Sequence, residues 1–199
     1  MPFIGRHPWD RVSIANWIKY PNDLTPHVIH VDYLSRSVDS SGILHTERLL
    51  TCCQNVPAFI ARLFSGENSS LFYERSEVDR EGRTLTLRAR NLTFCNLLTV
   101  EEVCRYVQDV DGNTRLRQEV GIRCFAGWTH IANAVEEFIV GRFHANARKG
   151  RLALEHAIDR IVQETRDQVR ELFGEAPIAN NASVSASADA SPLAIENNM

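Results

Sequence analysis

The chain has 199 residues, of which 44% are hydrophobic and 24% charged, and its formal net charge is -3. These values are typical of one globular domain of about 100–200 residues. The slightly negative charge argues against general nucleic-acid binding, because that requires a clustered cationic face. No run of about 18 apolar residues is present, so we expect a soluble chain that does not span a membrane. We also expect no cleavable targeting signal in the first ten residues.

In chain order, Pro8-Trp9-Asp10 opens an apolar pattern that fits a helix of about ten residues, which Pro21 ends. Alternating apolar and polar residues then predict a hairpin of two strands, over about 27–36 and 43–53. The same alternation predicts later strands over about 71–78, 84–91, 95–108 and 116–124. The sequence therefore predicts an antiparallel meander of six or seven strands.

A long helix is predicted after the strands, because the apolar spacing changes to 3.6 residues from about Trp128. It is one helix, or two collinear ones, reaching about Phe173. At about 65 Å it would exceed the diameter of a small domain, so its last turns should project or bend near Gly141 or Gly150. We expect one domain over residues 1–173, followed by a disordered tail over 174–199 that is rich in Ala, Ser and Asn.

These elements predict an α+β helix-grip fold, in which a curved antiparallel sheet wraps around the long C-terminal helix. The pattern alone leaves open whether sheet and helix pack dry or enclose a cavity for an apolar ligand. Five cysteines form an odd set without metal-ligand spacing, which we interpret as reduced residues of the core or of strands, with no bound metal. They are Cys52, Cys53, Cys95, Cys104 and Cys124.

The motifs of the commoner enzymes are absent: the sequence has no Gly-rich phosphate loop, no nucleophile elbow and no zinc-protease helix. We therefore expect no catalytic activity. On the long helix, Arg142, Asn146 and Lys149 are spaced i, i+4 and i+7, so they share one face with the apolar stripe. This polar cluster either marks where the helix face becomes solvated or forms a cationic pocket for an anionic head group at the end of an apolar cavity.

Several segments resemble the PRELI/MSF1 family of phospholipid carriers of the mitochondrial intermembrane space, over about residues 1–172. The segments are Pro8-Trp9-Asp10, residues 19–28, 46–50, 88–98 and 142–150. The Pro-Trp-Asp start and the run Asn-Leu-Thr-Phe-Cys-Asn-Leu-Leu over residues 91–98 look closest to the slowmo-like fungal branch, which handles phosphatidylserine, rather than to the phosphatidic-acid branch.

The resemblance implies a seven-stranded helix-grip fold, a lipid cavity under a lid, and an obligate small twin-Cys (CX9C) partner. It places the lid over Pro57–Ser69, where the apolar residues are Phe59, Ile60, Leu63 and Phe64. The head-group residues that it implies are Lys19, His27, Arg142, Asn146 and Lys149, which include both lysines of the chain. The sequence departs from the phosphatidic-acid branch at Cys52, where that branch can carry a lysine, and this agrees with a different lipid.

Together, these observations predict a carrier of phosphatidylserine between the mitochondrial outer and inner membranes, which touches membrane surfaces transiently. The phospholipid is its ligand, and no cofactor is expected. Two alternatives remain at this point: transfer of phosphatidic acid by the same fold, or an adaptor that uses the fold to dock a protein.

Overall fold

The computed structural model describes residues 7–53, 69–95, 98–125 and 132–174. In this part of the chain, two helices flank six strands in sequence. The helices are α1 (Trp9–Ile18) and α2 (Ala132–Phe173). The strands are β1 (Val28–Val38), β2 (Leu44–Cys53), β3 (Ser69–Asp79), β4 (Thr84–Asn91), β5 (Leu98–Gln108) and β6 (Thr114–Cys124).

The six strands form one curved, open antiparallel sheet in the order β1-β2-β3-β4-β5-β6. Each strand pairs with the next along the chain, as short turns between alternating segments predict. With α2 packed on the inner face of this sheet, the predicted α+β helix-grip architecture is confirmed. The described residues supply six strands, and the seventh that the resemblance implies is not among them.

Two of the hairpin turns use the same local chemistry. Oδ1 of Asp39 accepts hydrogen bonds from the backbone N–H of Ser41 and of Ile43, and Gly42 follows at φ +81°. Oδ1 of Asp109 accepts from Asp111 and Asn113 in the same way, with Gly112 at φ +78°. A short carboxylate that holds the turn backbone and a glycine in the left-handed region explain why these segments reverse the chain.

The start of β5 differs from the prediction, because the strand begins at Leu98 and not at Cys95. The buried Asn91 side chain explains the difference. Its Nδ2 donates to the carbonyl oxygens of Thr93 and Leu98, and its Oδ1 accepts from Val100 N–H at 2.8 Å. Asn91 thereby holds the end of β4 to the start of β5 across a turn. Cys95 lies exposed in that turn, so it is neither a core nor a strand residue, while Cys52 is buried as predicted.

The helix α1 packs against the C-terminal half of α2, over the end of the sheet where β4, β5 and β6 lie side by side. The apolar core there comprises Trp9, Val12, Ala15, Leu85, Leu87, Tyr106, Leu116, Leu154, Ala157 and Ile158. Polar contacts outside this core also tie the two helical regions together. His7 Nε2 lies 2.6 Å from Glu155 Oε2, and Asn22 Nδ2 donates to the carbonyl oxygen of Ala153.

The helix α2 continues unbroken across Gly141 and Gly150 for 42 residues. Such a helix is about 63 Å long. All residues from 163 to 174 are exposed, which confirms that its last turns project beyond the core. None of the described helices is both long and apolar enough to cross a membrane.

Candidate functional site

A cavity of about 290 Å³ lies between the inner face of the sheet and the N-terminal half of α2. Its volume is close to the lower end of the range for ligand sites, about 300–1,000 Å³. All six strands and α2 contribute to its wall, which is mostly apolar. The apolar residues include Val28, Leu50, Phe72, Leu98, Val100, Phe138, Ile139 and Phe143. The sheet and helix therefore enclose a cavity along one half of their interface and pack dry along the other.

The polar face predicted on α2 lies on this cavity. Arg142 and Asn146 line it, one helical turn apart, between Phe138 and Gly150. Lys149 is exposed and lies at the margin of the cavity, outside the set of lining residues. The 3.6-residue spacing thus placed two of the three polar residues on the wall itself and the third beside it.

Lys19 and His27 reach the same cavity from the segment between α1 and β1. Lys19 follows the last turn of α1 and is 9% exposed, and His27 immediately precedes β1. Four of the five head-group residues implied by the resemblance therefore line one cavity. Their part in ligand binding remains a prediction that the geometry makes possible.

His27 lies in a cationic environment. Burial lowers its pKa, and the charges of Lys149 and Arg142 lower it further, so the ring is neutral at pH 7. Its Nδ1 is buried and has no hydrogen-bond partner within the described part of the chain. A neutral ring and two cations on one side of an apolar cavity favour an anionic group there, because such a group would compensate the positive charges.

Lys19 remains charged although it is buried. Burial lowers the pKa of Lys19, but Tyr20, Tyr106 and Glu74 raise it by more, and the net direction is upward. The Nζ atom lies 4.8 Å from the centroid of the Tyr20 ring, within the range of a cation–π contact. The cavity therefore contains an ammonium group that holds its positive charge at neutral pH.

Acidic side chains also face the cavity, although no motif in the sequence marks them. Glu74 on β3 accepts a hydrogen bond from Arg48 Nε at 2.6 Å, and Arg48 is only 2% exposed. Glu102 on β5 accepts hydrogen bonds from Gln118 Nε2 at 2.5 Å and from Cys104 Sγ at 3.4 Å. Their one sequence signal was position: each occupies the row of an alternating strand that faces the core.

Two predicted segments lie outside the described part of the chain. One is the lid up to residue 68, with Phe59, Ile60, Leu63 and Phe64, and the other is the tail over residues 175–199. Within the described residues, no group of three or more His, Cys, Asp or Glu side chains could hold a metal ion.

A curved sheet closed by a long helix around a cavity, whose wall is mostly apolar and carries several charged side chains, defines a helix-grip domain with an internal cavity. The sequence also shows to which family the chain belongs. The model of the PRELI-like family matches residues 10–165, and the chain belongs to this family.

Three relatives illustrate the similarity. The chain is 38% identical over 173 residues to Protein UPS2, mitochondrial, of Saccharomyces cerevisiae, covering 85% of this chain and 75% of that protein. It is 38% identical over 157 residues to UPS-like protein C36.10 of Schizosaccharomyces pombe, covering 78% and 85%. It is 34% identical over 167 residues to the Protein slowmo homolog of Dictyostelium discoideum, covering 82% and 72%. The resemblance inferred from the motifs is thereby confirmed at the level of the family.

Proposed function

We propose that this chain is a mitochondrial phospholipid transfer protein that carries phosphatidylserine between the outer and inner membranes across the intermembrane space. One observation carries the proposal: an apolar cavity between sheet and helix has cationic and amide side chains grouped on its wall. That combination matches a phospholipid, which has acyl chains at one end and a charged head group at the other. The mitochondrial name of the relative UPS2 supports the location.

In this proposal, the protein replaces the membrane as the solvent of the lipid. Each buried CH₂ group contributes about 0.8 kcal/mol, so apolar walls such as Phe72, Leu98 and Phe143 offset the cost of removing acyl chains from a bilayer. Lys19 and Arg142 bind the anionic part of the head group, Lys149 adds positive charge from the margin, and Asn146 and His27 supply hydrogen bonds. No covalent step is required, and the chain acts as a carrier without catalysis.

Transfer between vesicles tests the proposal. Donor liposomes contain phosphatidylserine, acceptor liposomes lack it, and mass spectrometry of the separated acceptors measures the lipid that has moved. We expect transfer that scales with the concentration of the protein. An absence of phospholipid transfer by the folded protein would refute the proposal, and faster transfer of phosphatidic acid would assign a different cargo.

A cavity-filling variant shows whether transfer depends on the cavity. Ala147→Phe inserts a ring at a position that lines it, whereas Ala145→Phe adds the same ring on the same helix at a position outside the set of lining residues. We expect Ala147→Phe to abolish most of the transfer and Ala145→Phe to retain it. Equal rates for the two variants would mean that the lipid does not travel in this cavity.

We also propose that Pro57–Ser69 forms a lid, with Phe59, Ile60, Leu63 and Phe64 against the acyl chains or the membrane surface. The support is the resemblance and the apolar composition of the segment between Pro57 and Gly66. Deleting Ala58 to Gly66 should prevent extraction of lipid from vesicles with little loss of thermal stability. A large loss of stability with transfer intact would identify the segment as part of the core.

Finally, we propose that the chain works as a heterodimer with a small twin-Cys (CX9C) protein of the intermembrane space. The support is the resemblance, together with an apolar cavity that a partner would protect by stabilising the folded state. Coexpression should yield a soluble 1:1 complex, and expression alone should yield mostly insoluble protein. A monodisperse, fully active isolated chain would show that the partner is not obligatory.

A further inference from the structure

Four residues stand in one row across the sheet. In the antiparallel register, Arg48 on β2 pairs with Glu74 on β3, Glu74 pairs with Ala89 on β4, and Ala89 pairs with Glu102 on β5. Residues that are directly opposite each other point to the same face of a sheet. Accordingly, Glu74, Ala89 and Glu102 all line the cavity. Two carboxylates thus flank an alanine on the cavity wall.

The alanine leaves space between the two carboxylates. Strands β3 and β5 are separated by β4, so the backbones that carry Glu74 and Glu102 lie about 9.6 Å apart, at about 4.8 Å per strand spacing. Between them Ala89 presents only a methyl group. A small cationic group placed above this methyl would lie within reach of both glutamates.

The two glutamates differ in their partners. The charge of Glu74 is matched by the buried Arg48, at 2.6 Å. Glu102 receives hydrogen bonds from two uncharged groups, and it has no ion pair among the described residues. Arg151 Nη1 donates to Gln118 Oε1 at 3.5 Å, which turns the amide N–H of Gln118 toward Glu102. Glu102 is therefore held in place but not neutralised.

Lys19 is the complementary case. It lines the same cavity, and the part of the chain that the structure describes contains no ion pair for it. One anion and one cation without direct counter-ions therefore share the cavity. A head group with a single sign of charge compensates one and leaves the other desolvated, whereas a head group with both signs compensates both.

We propose that Glu102, facing Glu74 across Ala89, is the receptor for a primary ammonium group of the lipid head group. The cavity then selects phospholipids that bear an amine, phosphatidylserine and phosphatidylethanolamine, over phosphatidic acid and phosphatidylglycerol. The inference rests on the proposed transfer of phospholipid and adds the residue that reads the head group. Lipids without an amine are disfavoured, because they cover the Glu102 carboxylate and leave it without a counter-ion.

The test is a competition between head groups. Donor vesicles contain equal fractions of the four lipids in phosphatidylcholine, and mass spectrometry of the acceptors gives the ratio of amine-bearing to amine-free lipid moved. Glu102→Gln preserves the shape and an acceptor oxygen but removes the charge, and we expect it to lower this ratio about tenfold, which corresponds to about 1.4 kcal/mol. Glu101→Gln is the matched control, because Glu101 is exposed on the other face of β5. It should leave the ratio unchanged.

An unchanged ratio in folded Glu102→Gln would overturn the proposal. If that variant does not fold, Ala89→Leu replaces it, since the larger side chain fills the space between the glutamates and should lower the ratio as well. Titration of the wild-type protein with dihexanoyl phosphatidylserine and dihexanoyl phosphatidic acid measures the preference without any transfer step, and equal affinities would also overturn the proposal. An absence of transfer combined with tighter binding of the serine lipid would refute the transfer function alone.

Discussion

The two halves of the interface between α2 and the sheet are both mostly apolar, but one is filled and the other contains a cavity. In the C-terminal half, Leu154 and Ile158 are at most 1% exposed and fill the space against α1, Leu85 and Tyr106. In the N-terminal half, small residues such as Ala147 and Gly150 face the sheet, and a cavity remains. Filled space stabilises a fold, and retained space binds a ligand. Along its length, one helix thus packs first against the proposed binding cavity and then against the stabilising core.

The charged residues of the cavity form two groups. Leu87, Tyr106 and Leu116 belong to the dry core and also line the cavity, so they form the cavity's inner end. The charges of Lys19 and Glu102 both act on Tyr106, which places them near this end. The second group is His27 with Lys149 and Arg142, and the charges of these two residues lower the pKa of His27 after burial does. The comparison therefore extends to charge: both signs are present near the core, and positive charge dominates beside His27.

The largest effect on stability is expected from Arg48→Met. This change leaves the Glu74 carboxylate buried without its counter-ion, and breaking such a pair costs about 3–5 kcal/mol. Urea unfolding followed by circular dichroism measures this loss in the free energy of unfolding. Arg75→Met on the neighbouring position of the same strand as Glu74 is the control, since its ion pair with Glu77 is exposed, and it should change stability by less than about 1 kcal/mol. Equal losses of stability in the two variants would show that the buried ion pair stabilises the fold no more than the exposed one does.

The second prediction changes only the C-terminal half of the interface, where the core is filled. Ile158→Ala should reduce the free energy of unfolding by about 2–5 kcal/mol, because it leaves a cavity in a filled core. Calorimetry should show a lower Tm, by about 2–4 °C per kcal/mol for a chain of this length. Leu152→Ala on the same helix removes a side chain that is 52% exposed and should cost little. A change in head-group preference in Ile158→Ala would contradict the separation of the two halves.

The third prediction changes only the N-terminal half of the interface, which contains the cavity. Lys149→Glu places a negative charge beside His27 and the proposed phosphate position, and we expect vesicle transfer to fall about tenfold or more, the equivalent of about 1.4 kcal/mol. Because Lys149 is exposed, the free energy of unfolding should change by no more than about 0.5 kcal/mol. Arg148→Glu makes the same reversal at the exposed neighbouring position. Equal transfer by the two variants would remove Lys149 from the site.

The elements of this fold were predictable because each has a local cause. Alternation defined all six strands, and the 3.6-residue spacing placed Arg142 and Asn146 on the cavity side of α2. The start of β5 was predicted wrongly, since Asn91 fixes it through hydrogen bonds to residues as far as nine positions away. The pattern could not distinguish a dry interface from a cavity, because the same apolar residues serve both.

The row of charges was less predictable still. Arg48 and Glu74 are 26 positions apart, and their contact depends on the register of two strands. In the sequence, only its place in the alternating row distinguishes Glu102 from the adjacent Glu101, and the structure shows that Glu102 is the one that faces the cavity. Lys19 and His27 could be assigned to the cavity from the family resemblance without knowing the strand register, because similar sequences preserve similar positions.

The smallest expected effect is the pH dependence of stability that comes from the titration of His27, and it tests whether positive charge dominates beside this ring. Its pKa lies below the ordinary value of 6.5 because burial, then Lys149 and Arg142, oppose the charged ring. The folded state therefore binds fewer protons than the unfolded state, so the stability from His27 is complete above pH 6.5 and is lost as the pH falls through its folded pKa. Urea unfolding between pH 5 and 7.5 should show this slope, and His27→Gln should flatten it. In NMR titrations, Lys149→Glu or a bound anionic lipid should raise the pKa of His27, since each adds negative charge beside the ring. A ligand-free pKa at or above 6.5 would show that His27 does not lie in a cationic environment.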